Sequence, residues 1–167
     1  MTYKELVEIA IAGADEIPET DTALDTTVKK AINQGYMIVA TTIDKQVKTA
    51  TLQYSESGME LPSDYFQLIS LKKGDTRLSA NDFHNDTKRI FITNKDYKNG
   101  EFTLEYYYFP DLLVNDDDEP IVNIAHHTLI AEYGTYEALL YRKKYQSATT
   151  RLNFFTSRIS GGEEDES

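Results

Sequence analysis

The apolar residues of this chain change period twice, from helical spacing to alternation and back, and that change constrains the fold more than any other feature. Leu6, Ile9, Ala10, Gly13 and Ile17 recur at helical spacing and line one face of a first helix. Thr2 stands where an N-cap belongs, Glu5 completes a capping box, and Pro18 ends the pattern. A second helix is expected from Asp21, with Leu24, Val28, Ala31, Ile32 and Val39 as its stripe. Two such helices with a short joint predict an αα-hairpin over residues 1–42.

Near Asp44 the period drops to two. Lys45 to Tyr54 alternates and is rich in Val, Thr and Tyr, which reads as a strand. Ser55-Glu56-Ser57-Gly58 and Lys73-Gly74-Asp75 are turn signals, with an apolar strand through Leu68, Ile69 and Leu71 between them. Arg89–Thr93 is a short strand, and Asn99-Gly100, closing the polar loop from Asn94, predicts a hairpin turn. Over Glu101–Tyr108 the alternation is clean: Phe102, Leu104, Tyr106 and Tyr108 face one way, Thr103, Glu105 and Tyr107 the other. These pieces predict a small antiparallel meander within 44–109, packed on the helices.

After Pro110 helical spacing returns. Asp118 or Glu119 before Pro120 marks a helix start, because proline is favoured in a first turn. Val122, Ala125, Leu129, Tyr133, Tyr136 and Leu140 keep one face, and Tyr145, Ala148, Leu152, Phe155 and Ile159 keep another. One long helix, or two with a bend near Arg142, is expected over 118–160. Gly161-Gly162 ends it, and 161–167 reads as an acidic flexible tail. The expected fold class is α+β: mainly a helical bundle, with an N-terminal helical hairpin, a C-terminal helix or helix pair and a small antiparallel β insertion. All of it is expected in one domain over 1–160.

Charge narrows the function classes. A net charge of −11 argues against a general nucleic-acid binder, which needs clustered Lys and Arg. Two runs, Asp116–Glu119 and Glu163–Glu166, supply eight of those negative charges. Ala138 to Gly162, by contrast, carries Arg142, Lys143, Lys144, Arg151 and Arg158 and no acidic residue. Such a split suits contact between identical subunits head to tail, or with an acidic partner, and it suits equally a solvated helix face whose charges balance elsewhere. There is no cysteine, which excludes disulfides and thiolate metal sites. No apolar run approaches the ~18 residues of a membrane span, and Met-Thr-Tyr-Lys-Glu is no signal peptide. The chain is expected to be made and used in a cytoplasm, or in something assembled there.

Catalytic chemistry finds little footing. The eight glycines are scattered rather than gathered in a phosphate-binding loop, and no serine sits in a nucleophile elbow. His126 and His127 are adjacent, so on a helix they point about 100° apart and cannot share a metal from one face. Asp116–Glu119 lacks the alternating ligands and central glycine of a calcium loop, and reads as charge at a helix N-terminus. No catalytic residue, cofactor or metal is expected. Tyrosine is abundant, twelve against no tryptophan, and Tyr106, Tyr107 and Tyr108 make both faces of one strand aromatic. A tyrosine-rich face suits a wet protein interface better than a ligand platform.

Three stretches, taken in order, resemble head-to-tail connector proteins of tailed bacteriophages, also called adaptors, head-completion proteins or tail accessory factors. Leu61-Pro62-Ser63-Asp64-Tyr65, leading into Phe66–Leu71, looks like the family's Leu-Pro-x-Asp-Phe segment, with Tyr65 in place of Phe. Gly100 to Leu113 looks like its glycine, alternating strand ending in tyrosines, proline and Leu-Leu. Pro120 to Leu140 looks like its proline-opened helix with a histidine, a Leu-Ile pair and small residues. The resemblance implies a structural virion protein. It would form a ring, of twelve copies, under the portal, bind a downstream neck or tail protein, and pass double-stranded DNA without specific binding or any membrane contact. An acidic channel would keep that DNA from sticking. Its place would be the virion neck, assembled in the host bacterial cytoplasm. The alternatives are another phage neck or baseplate component, or a bacterial binding or regulatory module outside phages.

On this reading two contact regions are expected. Arg151, Phe154, Phe155 and Arg158 on the terminal basic helix would meet the portal or a neighbour. Asp116, Asp117 and Asp118 of an adjacent subunit are their candidate charge partners. Phe91, Tyr97 and Tyr107 in the β region would face a neighbour or the tail side.

Overall fold

The first helix, α1 (Tyr3–Gly13), starts where its capping box places it. Thr2 Oγ1 accepts from the Glu5 N–H at 3.3 Å, and the Glu5 carboxylate accepts from the Thr2 N–H at 2.9 Å. This computed structural model describes residues 1–14 and 21–161, so the readings of Ile17, Pro18, Gly162 and Glu163–Glu166 lie outside the described residues. Helix α2 (Thr22–Thr42) is capped by Asp21, whose carboxylate accepts from the Ala23 and Leu24 N–H groups at 3.0 Å each.

The chain forms two compact units, Gln46–Phe109 and the residues on either side of it. The helical unit holds α1 and α2, an irregular return from Pro110, a 3-10 turn at Ile124–His126, and helices α3 (His127–Tyr141) and α4 (Tyr145–Ser160). Between α3 and α4 Lys143 takes a left-handed conformation, φ +59°, which breaks the helix at the bend expected near Arg142. Helix α3 is the centre of this unit and packs on α1, α2 and α4. Small residues let the backbones approach. A Cβ at Gly134 would stand 2.8 Å from Ala10 Cβ and 2.6 Å from Ile32 Cδ1, and one at Gly13 would stand 2.8 Å from Thr135 Oγ1. Leu6, Val28, Ile32 and Ile130 are fully buried around this junction.

The β unit has strands β1 (Val47–Gln53), β2 (Met59–Glu60), β3 (Tyr65–Lys73), β4 (Thr76–Arg77), β5 (Phe83–Asn85), β6 (Arg89–Ile92) and β7 (Glu101–Tyr108). They form an antiparallel sheet in the order β1-β7-β3-β4 and a second in the order β2-β6-β5. Leu52, Leu71, Phe102, Leu104 and Tyr106 of the first sheet share a buried core with Met59, Ile90 and Ile92 of the second.

Several expectations fail here, for physical reasons. The fold is not a mainly helical bundle with a small β insertion. It is α+β with a substantial sheet component, 45% helix and 23% strand, with seven strands in two sheets among the described residues. The β region builds its own core, with help from β2 and β5, which are too short to show a period. It is no meander either: β7, last in sequence, pairs between β1 and β3. Asn99-Gly100 therefore closes no hairpin, because β6 and β7 belong to different sheets. Gly100 (φ +71°) instead follows a 3-10 turn at Lys95–Tyr97 whose cap is Asn94.

The C-terminal helices do not begin at Pro120. Asp118 spends its carboxylate on the Val114 and Asn115 N–H groups, at 2.7 and 2.8 Å, and Asn123 caps the 3-10 turn that leads into α3. The acidic run serves another helix. The Asp118 and Asp116 carbonyls accept from the Tyr3 and Lys4 N–H groups, at 2.7 and 3.1 Å, satisfying free donors in the first turn of α1. Its carboxylates thus lie at the positive end of the α1 dipole.

Candidate interaction surface

The terminal helix α4 presents its four expected contact residues in different ways. Phe155 is 3% exposed and packs on Tyr133, ring centroids 5.0 Å apart. It belongs to the core of the helical unit and is corrected as an interface residue: heptad-like spacing with Ala148 turns it inward. Arg151 is occupied as well, donating from Nη1 to both carboxylate oxygens of Glu132 on α3 at 2.9 Å. Its ion pair lies within the subunit. Asp116 and Asp118 are likewise engaged, through their carbonyls at α1 and through the Asp118 carboxylate at Val114 and Asn115, while the Asp116 and Asp117 side chains are exposed.

Phe154 and Arg158 do face out. Phe154 is 44% exposed, the Arg158 guanidinium lies 5.4 Å from its ring centroid, and Arg158 has no acidic partner among the described residues. Together with Ile43, Ala125, His126 and Leu129 they line a groove of about 620 Å³. Its lining joins these apolar side chains to cationic Arg158 and the imidazole of His126. His127 next door is buried in the core, and its Nε2 donates to the Val122 carbonyl at 3.1 Å. The adjacent histidines thus part as helical geometry requires.

In the β unit, Phe91 is half-buried and stacks on His84, with centroids 5.0 Å apart and planes at 11°. Tyr97 is half-buried beneath Lys73, whose Nζ donates to the Tyr97 carbonyl at 3.2 Å. Tyr107 lies on the face of β7 opposite Phe102, Leu104 and Tyr106, in register with Val47 and Gln67. The three side chains are only partly exposed.

Sequence reasoning missed two features. One is the return segment, where Leu112, Val114, Ile121 and Ile124 are exposed, Val114 to 75% and Ile124 to 71%. The helical reading began at Pro120 with a stripe from Val122 and Ala125, and singled out neither Ile121 nor Ile124, which lie before α3. The other is Asp64 within Leu61–Tyr65. It accepts from Lys48 Nζ on β1 at 2.7 Å and from the Tyr106 hydroxyl on β7 at 3.0 Å, and its carbonyl accepts from the Phe109 N–H at 2.8 Å. That residue ties three strands together, which is a structural role. Burial works to raise its pKa, but the hydrogen bonds from Lys48 and Tyr106 outweigh it and hold the carboxyl below its ordinary value.

No family model matches this chain, and no curated protein matches it in sequence. Among the described residues no cluster of three or more His, Asp or Glu stands close enough to hold a metal, and no helix is long and apolar enough to cross a membrane.

Asp64 is one of several depressed carboxyls. Backbone N–H groups lower Asp21, Asp86 and Asp118, and the Asn94 and Ser79 side chains lower Asp82. A carboxyl depressed in the folded state stabilises it above the unfolded pKa, about 3.9, and that stabilisation is lost as pH falls through the lower folded value. Glu137 runs the other way. Burial raises it, with Lys30 opposing, so its contribution is lost as pH rises. The five aspartates outnumber it, and stability is expected to fall steeply below about pH 4. Urea midpoints measured from pH 7 down to pH 3 test this; a flat profile would contradict it.

Proposed function

We propose that this protein is a non-catalytic connector, the head-to-tail adaptor of a tailed phage, which forms a ring under the portal and joins capsid to neck or tail. The observation that carries the reading is the row of uncovered apolar side chains on the helical unit. Leu112, Val114, Ile121 and Ile124 of the return segment and Phe154 of α4 are each more than two-fifths exposed. Large apolar groups left in water at several places on one unit suit a protein completed by partners. The ordered resemblance of Leu61–Leu71, Gly100–Leu113 and Pro120–Leu140 supports the same class. A connector must bind on two sides, and the Phe154–Arg158 groove and the return segment supply two surfaces of different character.

Because Arg151 is bound to Glu132, the partner-facing residues to test are Phe154 and Arg158. Native mass measurement of the protein mixed with the portal protein of the same genome is expected to show it adding to portal rings. The double variant Phe154→Asp, Arg158→Glu is expected to fold, by its unchanged thermal melt, and to fail to add. A wild-type chain that never joins portal assemblies would defeat the adaptor reading.

A further inference from the structure

We propose that the free edge of the β unit pairs with a second copy of this chain, two β1 strands running antiparallel about a two-fold axis. Strand β1 is an edge of its sheet, with β7 on one side only. The Tyr54 N–H donates to the Gly100 carbonyl at 2.9 Å and the Tyr108 N–H to the Gln46 carbonyl at 3.3 Å. With the unbroken register from Val47↔Tyr107 to Gln53↔Glu101, these bonds fix the alternation. Even-numbered residues of β1 turn their backbone groups toward β7. Those of Val47, Thr49, Thr51 and Gln53 point away from the sheet. Among the described residues nothing hydrogen-bonds to them.

Proteins guard such edges with prolines, bulges, outward charge or shortness. Strand β1 has none of these: it is seven residues long, without proline or bulge. Its one charge, Lys48, is held by Asp64 at 2.7 Å. On the opposite side β4 covers only Lys72 and Lys73 of β3, but the rest of β3 is interrupted by register shifts at Tyr65/Gln67 and Leu68/Ser70, and its Ile69 carbonyl accepts from Arg77 at 2.9 Å; the edges of the second sheet, β2 and β5, have two and three residues. The long free ladder of this unit is therefore β1.

What recognises a free ladder is an extended backbone, and β1 is complementary to itself. In the two-fold register centred on Ala50, Thr49 faces Thr51 of the second copy and Val47 faces Gln53 of the second copy. All four outward residues then exchange hydrogen bonds. Threonine pairs are favourable cross-strand neighbours. Lys48 falls opposite Leu52 of the second copy, so like charges do not meet. The charge of the unit allows the approach: Gln46–Phe109 holds eight Lys and Arg against nine Asp and Glu, in a chain of net −11. The pair joins two four-stranded sheets into one. It closes on itself, so it is separate from any head-to-tail ring contact and does not depend on the adaptor reading.

The absence of cysteine makes the register testable. Residue 50 would meet its own copy in a non-hydrogen-bonded pair, where Cα atoms stand about 4.5 Å apart, within disulfide reach. Sedimentation velocity across a wide concentration range is expected to give a reversible monomer–dimer equilibrium. The variant Thr49→Lys, Thr51→Lys is expected to weaken it about tenfold or more, with an unchanged circular dichroism melt. Under mild oxidation Ala50→Cys is expected to give a covalent dimer, and Thr76→Cys on β4 far less. A wild-type chain that stays monomeric throughout overturns the proposal. So does a lysine variant that dimerises as well as wild type, or Cys variants at 50 and 76 that cross-link equally.

Discussion

Replacing Phe155 by alanine is expected to lower the stability of the helical unit by about 3–5 kcal/mol, the usual cost of deleting a buried aromatic side chain and leaving its cavity. Phe155 is 3% exposed and lies against Tyr133, so its removal takes contacts from both α3 and α4. The neighbouring Phe154→Ala is expected to change stability by less than about 1 kcal/mol, because that ring is 44% exposed and already wet. Urea unfolding of the two variants decides between them. Equal losses would mean that the faces of α4 are assigned wrongly. The comparison also separates folding from binding, since only Phe154 lines the groove with Arg158.

The second large effect is expected at Gly134→Val. The first added carbon would stand 2.8 Å from Ala10 Cβ, which has no rotamer to move into, and 2.6 Å from the more yielding end of Ile32. Relief requires α1 to move away from α3. Overpacking of this kind costs about 1–3 kcal/mol for the first atoms, and valine adds two methyl groups. A loss of about 3 kcal/mol is the expected result, read as a lowered urea midpoint. Gly134→Ala is expected to fall between, because alanine returns about 1 kcal/mol of helix propensity. A valine variant as stable as wild type would show that the helices do not meet as closely as this.

The sequence was informative wherever the signal was local. Thr2 with Glu5 was readable as a cap, and Asp21 as the start of a helix, because such signals need only side chains within three residues of the free N–H groups. The alternation of β7 was readable because one face of that strand is buried, whereas spacing alone left open one long helix or two with a bend near Arg142, which the left-handed Lys143 decides for two. The split of the terminal basic helix into Phe155 inside and Phe154 outside was only half legible. Spacing gives a face, but which face is covered depends on where α3 lies. Arg151 looked available because its partner, Glu132, is on another helix.

What the sequence by itself determined is the coarse order of helices, then strands, then helices, the starts of α1 and α2 and the alternation of β7. Only the tertiary structure decided the rest. It placed β7 between β1 and β3, gave the β region a second sheet and its own core, and set Asp116–Asp118 at the start of α1 rather than at the head of a new helix. The reason is physical. Periodicity reports which side of an element avoids water, whereas strand pairing and helix-terminus contacts are made by backbone groups that every residue carries, so residue type says little about which partner they find.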